Sequence, residues 1–244
     1  MIFNQYDRVR IVNLPERVDR RRDMERELAR LGFAADGKIK FHPATRVQDA
    51  APFARVGSHG NFLSQLSILE EALAAEESVM ILEDDCFFLP LAAEYEQPAG
   101  TDIFYGGWTK IGDEPLHDAD LMASHCMGFS AGAVRQLVPF LRKLLDPKFE
   151  PDPAIVRSAF DPNIRPPIDG AYVWFRRYHP DLETAFAMIT DQRPSASDVA
   201  TRRWFDKLPV LASLAGHARR IKHQAEAEKR WSGRAPVEPA ELRR

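Results

Sequence analysis

The sequence predicts an α/β fold built on a mixed, mainly parallel sheet. Two observations lead there. Short apolar, β-branched runs alternate along the chain with segments of helical periodicity, the pattern of strands joined by helical crossovers. One of those runs, Val79-Met80-Ile81-Leu82, passes straight into three acids, Glu83-Asp84-Asp85, before apolar residues resume at Cys86. In open α/β sheets ligands bind beyond the carboxyl ends of the strands, and the acids stand at such an end.

The elements follow in order. Arg8 to Leu14 (RVRIVNL) alternates and reads as the first strand. Val18 to Leu31 reads as a helix with Met24, Leu28 and Leu31 on one face and Gly32 where a C-terminal cap belongs. Lys38 to His42 (KIKFH) is a second short strand, leading into Pro43-Ala44-Thr45. Asn61 to Glu77 is a helix, with Phe62, Leu66, Leu69 and Leu73 at helical spacing. Ser78 to Leu82 is a short buried strand. Asp102 to Tyr105 is another, ending in Gly106-Gly107, and His125 to Ser130 a further one. Ala133 to Leu145 is a helix, Asp146 to Pro167 a proline-rich surface loop, Ile168 to Tyr178 a helix and Leu182 to Ile189 a strand. Thr201 to about Arg230 reads as helical. The reading is one domain over residues 1–200 and a basic, amphipathic helical extension over 201–244.

The 244 residues are 45% apolar and 28% charged, enough for a sizeable core. No run of about 20 apolar residues is present, so no transmembrane helix is expected, and the N-terminal MIFNQYDRVR lacks the apolar stretch of a secretory signal. Cytoplasmic residence is the expectation, with Cys86 and Cys126 as reduced, buried thiols. The net charge of −3 is uneven. Residues 201–244 carry 11 basic against 5 acidic side chains, a net +6, and the first 200 carry 22 against 31, a net −9. An acidic body with a basic tail excludes a whole-chain nucleic-acid binder. The tail's apolar stripe (Leu208, Leu211, Leu214) and basic Arg219-Arg220-Ile221-Lys222 suit peripheral contact with an anionic membrane, packing back on the domain, or a homodimer.

The acids carry the chemistry. Along an extended chain Glu83 and Asp85 point one way, about 7 Å apart, and Asp84 the other. A pair of carboxylates so placed suits Mn²⁺ or Mg²⁺, which take oxygen ligands and leave positions for phosphate oxygens. Asp84 is then expected to hold the turn or meet an arginine. The bland alternative is a strand that ends in solvated acids. Arg17, Arg20 and Arg21 after the first strand suit a diphosphate, or simply form a solvated helix face. Asn13 suits a nucleoside hydrogen bond or a turn cap.

Four blocks together resemble glycosyltransferase family 25, which includes bacterial lipooligosaccharide galactosyltransferases and relatives of collagen galactosyltransferases. Ile11-Val12-Asn13-Leu14 with Arg17 and Asp19-Arg20-Arg21 resembles its opening signature. Gly57, Gly60, Ser64, Leu69 to Leu73 and Ile81 to Asp85 resemble its second block. Pro167-Ile168-Asp169 and Pro194 to Val199 resemble its later ones. The likeness spans roughly residues 8–199. It departs at Asn61 and Gln65, where the family has Cys and His.

The resemblance implies a GT-A-type, single Rossmann-like nucleotide-binding domain. It implies an inverting, metal-dependent transfer of a hexose, galactose or glucose, from a UDP-sugar to a hydroxyl of a bacterial surface glycan such as lipopolysaccharide. The alternative is a non-catalytic nucleotide-sugar or glycan-binding protein with a degenerate site, which the changes at 61 and 65 motivate. A metal-dependent phosphohydrolase is disfavoured, because no DxDxT run is present. The site expected on this resemblance has Asp169 as general base, or alternatively as a helix N-cap. Asn13, Arg17, Ala44, Thr45, Glu83, Asp84 and Gln192 face the donor, and Asp85 and Glu83 hold the metal. Asp198 joins Gln192 over the diphosphate. Trp108, after Gly106-Gly107, offers a stacking face to the acceptor. His59 and His125 are either ligands or structural.

Overall fold

The computed structural model describes residues 1–156, 161 and 163–193. Six strands form one sheet in the order β2-β1-β3-β6-β5-β7. They are β1 (Arg8–Asn13), β2 (Ile39–Pro43), β3 (Val79–Glu83), β5 (Ile103–Ile111), β6 (Asp120–Phe129) and β7 (Thr184–Phe186). β1 runs parallel to both β2 and β3, β5 runs parallel to β7, and β6 alone runs antiparallel to its neighbours. The α/β class with a mixed, mainly parallel sheet is therefore what the chain adopts. A second, two-stranded antiparallel sheet pairs β4 (Cys86–Phe88) with β8 (Thr190–Gln192).

Val79 to Leu82 is continuously apolar because the sheet is covered on both faces. Val79 and Ile81 face a core shared with helix α2 (Val56–Ala75), α3 (Ala131–Leu144) and α5 (Ile168–Tyr178), where Phe62, Leu69, Leu137, Leu141 and Tyr172 are buried. Met80 and Leu82 face the other core, with Met24 and Leu28 of α1 (Val18–Arg30), Phe3, Phe88 and Phe104. Helix α1 closes with Gly32 at φ 80°, its N–H bonded to Ala29 O and that of Phe33 to Leu28 O, the C-terminal motif that Gly32 predicted.

Several boundaries differ from the sequence reading. Helix α2 starts at Val56 rather than Asn61, its first turn packed on the 44–45 turn: a Cβ at Gly60 would lie 2.6 Å from Thr45 O. β5 does not end at Gly106-Gly107 but continues to Ile111, with register shifts on either side of Gly107, and β6 begins at Asp120 rather than His125. The two strands extend as a ribbon beyond the main sheet. The loop after α3 contains a short helix, α4 (Pro153–Val156). The strand expected at Leu182 to Ile189 is confined to β7, and a further strand, β8, follows at Thr190 and pairs with β4 outside the main sheet. Both cysteines are free and buried. Among the described residues no helix is long and apolar enough to cross a membrane. The extension at 201–244, the block Pro194 to Val199 and Asp198 lie outside the described residues.

Candidate functional site

Parallel register brings the ends of three strands together. Val12 pairs with Glu83 and Asn13 with Pro43, so Asn13, the 44–45 turn and the acids share one edge of the sheet. The Asn13 carbonyl accepts from Ala44 N at 2.9 Å. Thr45 N donates to Ser64 Oγ at 2.7 Å, and Ser64 Oγ donates to Gly60 O. Gly60 and Ser64, two residues of the family-like second block, thus hold the turn that carries Ala44 and Thr45.

The strand alternation expected through the acids stops at Glu83, because the chain turns at Asp84-Asp85 before β4. The turn gives the three carboxylates different sets of partners. Asp84 is buried, accepting from Asn13 Nδ2 at 2.7 Å and from Arg20 Nη1 at 2.9 Å. Arg20 Nη1 also lies 3.6 Å from Asp85 Oδ2. Asp84 therefore meets an arginine, as anticipated, and Asn13 turns its side-chain Nδ2 to Asp84 and to the Arg17 carbonyl. Burial pushes the Asp84 carboxyl up, against the pull of Arg20 and Asn13. Arg17 lies on Asp19 through two bonds of 3.0 Å. Arg21 stacks over Phe41, 4.5 Å from the ring centre.

Glu83 ends a chain of hydrogen bonds that the sequence did not announce. Tyr172 Oη donates to Gln65 Oε1 at 2.7 Å, Gln65 Nε2 to Asn61 Oδ1 at 3.3 Å, and Asn61 Nδ2 to Glu83 Oε1 at 2.9 Å. From the other side Gln192 Nε2 donates to Glu83 Oε2 at 3.1 Å. Burial, and then the charge of Asp85, push Glu83 up to about 8. Asn61 and Gln65, the two departures from the family pattern, are thus coherent with each other. The signal was legible: two amides at i, i+4 in a helix whose inner face is mostly apolar.

Asp169 lies in the first turn of α5, with Pro167 at the N-cap position, so it is not the cap. Its Oδ1 accepts from Gly170 N at 3.0 Å and its Oδ2 from Ala123 N at 3.1 Å. Burial raises its pKa. Its charge reaches Glu83, so α5 and β3 bring two carboxylates to one site. His59 stacks on Phe53 and bonds Asp49 O, a structural role away from the acids. Trp108 is half-buried, edge-on to Phe186 at 5.7 Å.

Among the described residues no group of three His, Cys, Asp or Glu side chains is arranged to hold a metal ion. Mg²⁺ and Mn²⁺ nevertheless bind through one or two carboxylates together with substrate phosphates. By that measure Asp85 fits, because its Oδ1 is buried with no hydrogen-bond partner among the described residues. Glu83 has both oxygens engaged by amides.

No protein family matches the chain, and no curated protein matches it. Among solved structures it is similar to a glycosyltransferase involved in the glycosylation of the major capsid of PBCV-1. That likeness has a TM-score of 0.41 and 8% identity, over 74% of this chain and 81% of that one. A likeness of this degree carries no argument about activity.

Proposed function

We propose that the chain is an inverting glycosyltransferase that moves a hexose from a UDP-sugar to a hydroxyl of a bacterial surface glycan. The observation that carries this reading is the gathering of three differently held carboxylates, Glu83, Asp85 and Asp169, at the carboxyl edge of a mainly parallel sheet. The four family-like sequence blocks support it, and three of them bear on this edge.

Asp85, with an unpartnered oxygen, would hold Mn²⁺ or Mg²⁺. A cation there would neutralise the charge of the departing diphosphate. Asn13, the 44–45 turn and Arg17 border the donor side. Arg20 keeps the Asp84–Asp85 turn in place from beneath. Asp169 takes the proton of the acceptor hydroxyl as its oxygen attacks the anomeric carbon. The nucleoside diphosphate leaves from the opposite face, which inverts the configuration. A raised pKa suits a base working near neutrality. Glu83, held by Asn61 and Gln192, orients the site.

The test is a thermal-shift screen of nucleotide sugars with and without Mn²⁺, since a ligand that binds only the native state raises its melting temperature. Donors that bind are then assayed for turnover with glycan acceptors. Asp169→Asn should retain donor binding and lose turnover by about 10²–10⁴-fold. Failure of every nucleotide sugar to bind overturns the reading. Binding without turnover on any acceptor would leave a nucleotide-sugar-binding protein.

A further inference from the structure

Ala123 has φ 59°, a conformation an L-residue seldom adopts. The other non-glycine residue with positive φ among those described, Glu76, ends a helix, where such a φ is routine. Ala123 lies within β6, where no cap or tight turn asks for it. Its peptide groups are held on both sides. Its N–H donates to Asp169 Oδ2 at 3.1 Å, and its C=O lies 2.6 Å from His125 Nδ1. A carbonyl can only accept, so Nδ1 carries the hydrogen.

The His125 ring is 3% exposed, and burial lowers its pKa against the pull of Asp85 and of the Thr190 and Ala123 backbone. Its seat is made by glycine. A Cβ at Gly107 would collide with His125 Nε2, and would lie 2.7 Å from Cε1. Gly107 therefore lets the imidazole rest on the backbone of β5, at the register shift, and reach Ala123 from there.

We infer that His125 is a positioning residue for Asp169: it holds the Ala123 carbonyl, the Ala123 amide stays aimed at Oδ2, and the carboxylate is fixed without touching the imidazole. Asp169 then has one oxygen on Ala123 N–H and the other on Gly170 N–H, and each keeps a lone pair for an incoming hydroxyl. The catalytic meaning rests on the proposed role of Asp169 as base; the positioning itself does not.

Three measurements test it. In the native protein, ¹⁵N NMR of the imidazole at neutral pH should show a hydrogen on Nδ1. A neutral ring with its hydrogen on Nε2 alone overturns the inference, and no variant is needed. Second, hydrogen exchange at the Ala123 amide should quicken at least tenfold in His125→Gln, whose amide falls nearer the Nε2 position. In His125→Asn, which places an N–H near Nδ1, it should stay within threefold of the native rate. Protection kept in His125→Gln, or lost in both variants with equal falls in melting temperature, makes the ring mere packing. Third, where a donor and acceptor are in hand, His125→Gln should lower kcat at least tenfold with the donor KM within twofold, and a rise in KM alone overturns it. If the native protein turns over no donor, the glycosyl-transfer reading fails while the tautomer and exchange results still decide this one.

Discussion

Glu83→Gln should make the protein more stable, and the gain should depend on pH. Burial and the neighbouring Asp85 raise Glu83 from 4.5 to about 8. Between those values the folded state holds a proton that the unfolded chain has already released. Stability is therefore fullest below about pH 4.5 and declines as pH rises through 8, with a limiting slope of about 1.4 kcal/mol per pH unit. Integrated over that interval, the loss reaches about 3 kcal/mol at pH 7 and approaches about 5 kcal/mol above pH 8. A glutamine has no charge to desolvate and removes that slope. Its carbonyl can still accept from Asn61, but its amide meets the Gln192 amide, which must rotate to present oxygen. The expected net gain is accordingly about 2 kcal/mol at pH 7.5, vanishing near pH 6. Urea unfolding of both proteins, in EDTA, at half-unit steps from pH 5 to 8.5 measures it. A pH-independent difference, or native stability that rises with pH across this window, would refute the reasoning.

Three further outcomes are expected. Arg20→Ala strands the buried Asp84 with Asn13 as its remaining donor, and should cost about 3 kcal/mol by urea unfolding; a cost below about 1 kcal/mol would mean that Asp84 simply takes up a proton. Asp85→Asn should weaken Mn²⁺-dependent donor binding by calorimetry more than Asp84→Asn does, because Asp85 has an oxygen with no hydrogen-bond partner among the described residues whereas Asp84 is spent on Asn13 and Arg20. Equal losses would remove the distinction. Gln65→Leu leaves the Tyr172 hydroxyl buried without its acceptor and should cost about 1–3 kcal/mol. Adding Tyr172→Phe should recover most of that, since both polar partners are then gone; additive losses in this double-mutant cycle would show that the pair is uncoupled.

Much of the framework was legible because it rests on local periodicity. Met24 and Leu28 marked the buried face of α1, Gly32 marked its end, and VMIL marked a strand covered on both sides. Boundaries failed where tertiary contact overrode local signals. Gly106 and Gly107 look like a strand end. They are tolerated inside β5 because Cys126 and His125 occupy the space their side chains would need. β8 was not read from the sequence at all, because its pairing with β4 is a long-range choice.

Within the site, the sequence determined which chemical groups are present and on which element each arrives: acids at the end of β3, an aspartate opening α5, amides at i, i+4 on α2. It could not tell which carboxylate meets which partner. Strand alternation put Glu83 and Asp85 on one side, and the charge of Asp85 does act on Glu83, but the chain turns after Glu83 and a turn obeys no period of two, so their other partners were not legible. The folded chain alone decided that Arg20 and Asn13 go to Asp84, that Tyr172, Gln65 and Asn61 line up behind Glu83, and that a left-handed alanine links His125 to Asp169. The physical reason is that these contacts join residues tens of positions apart. Their geometry is set by the packing of whole elements, and no local propensity encodes it.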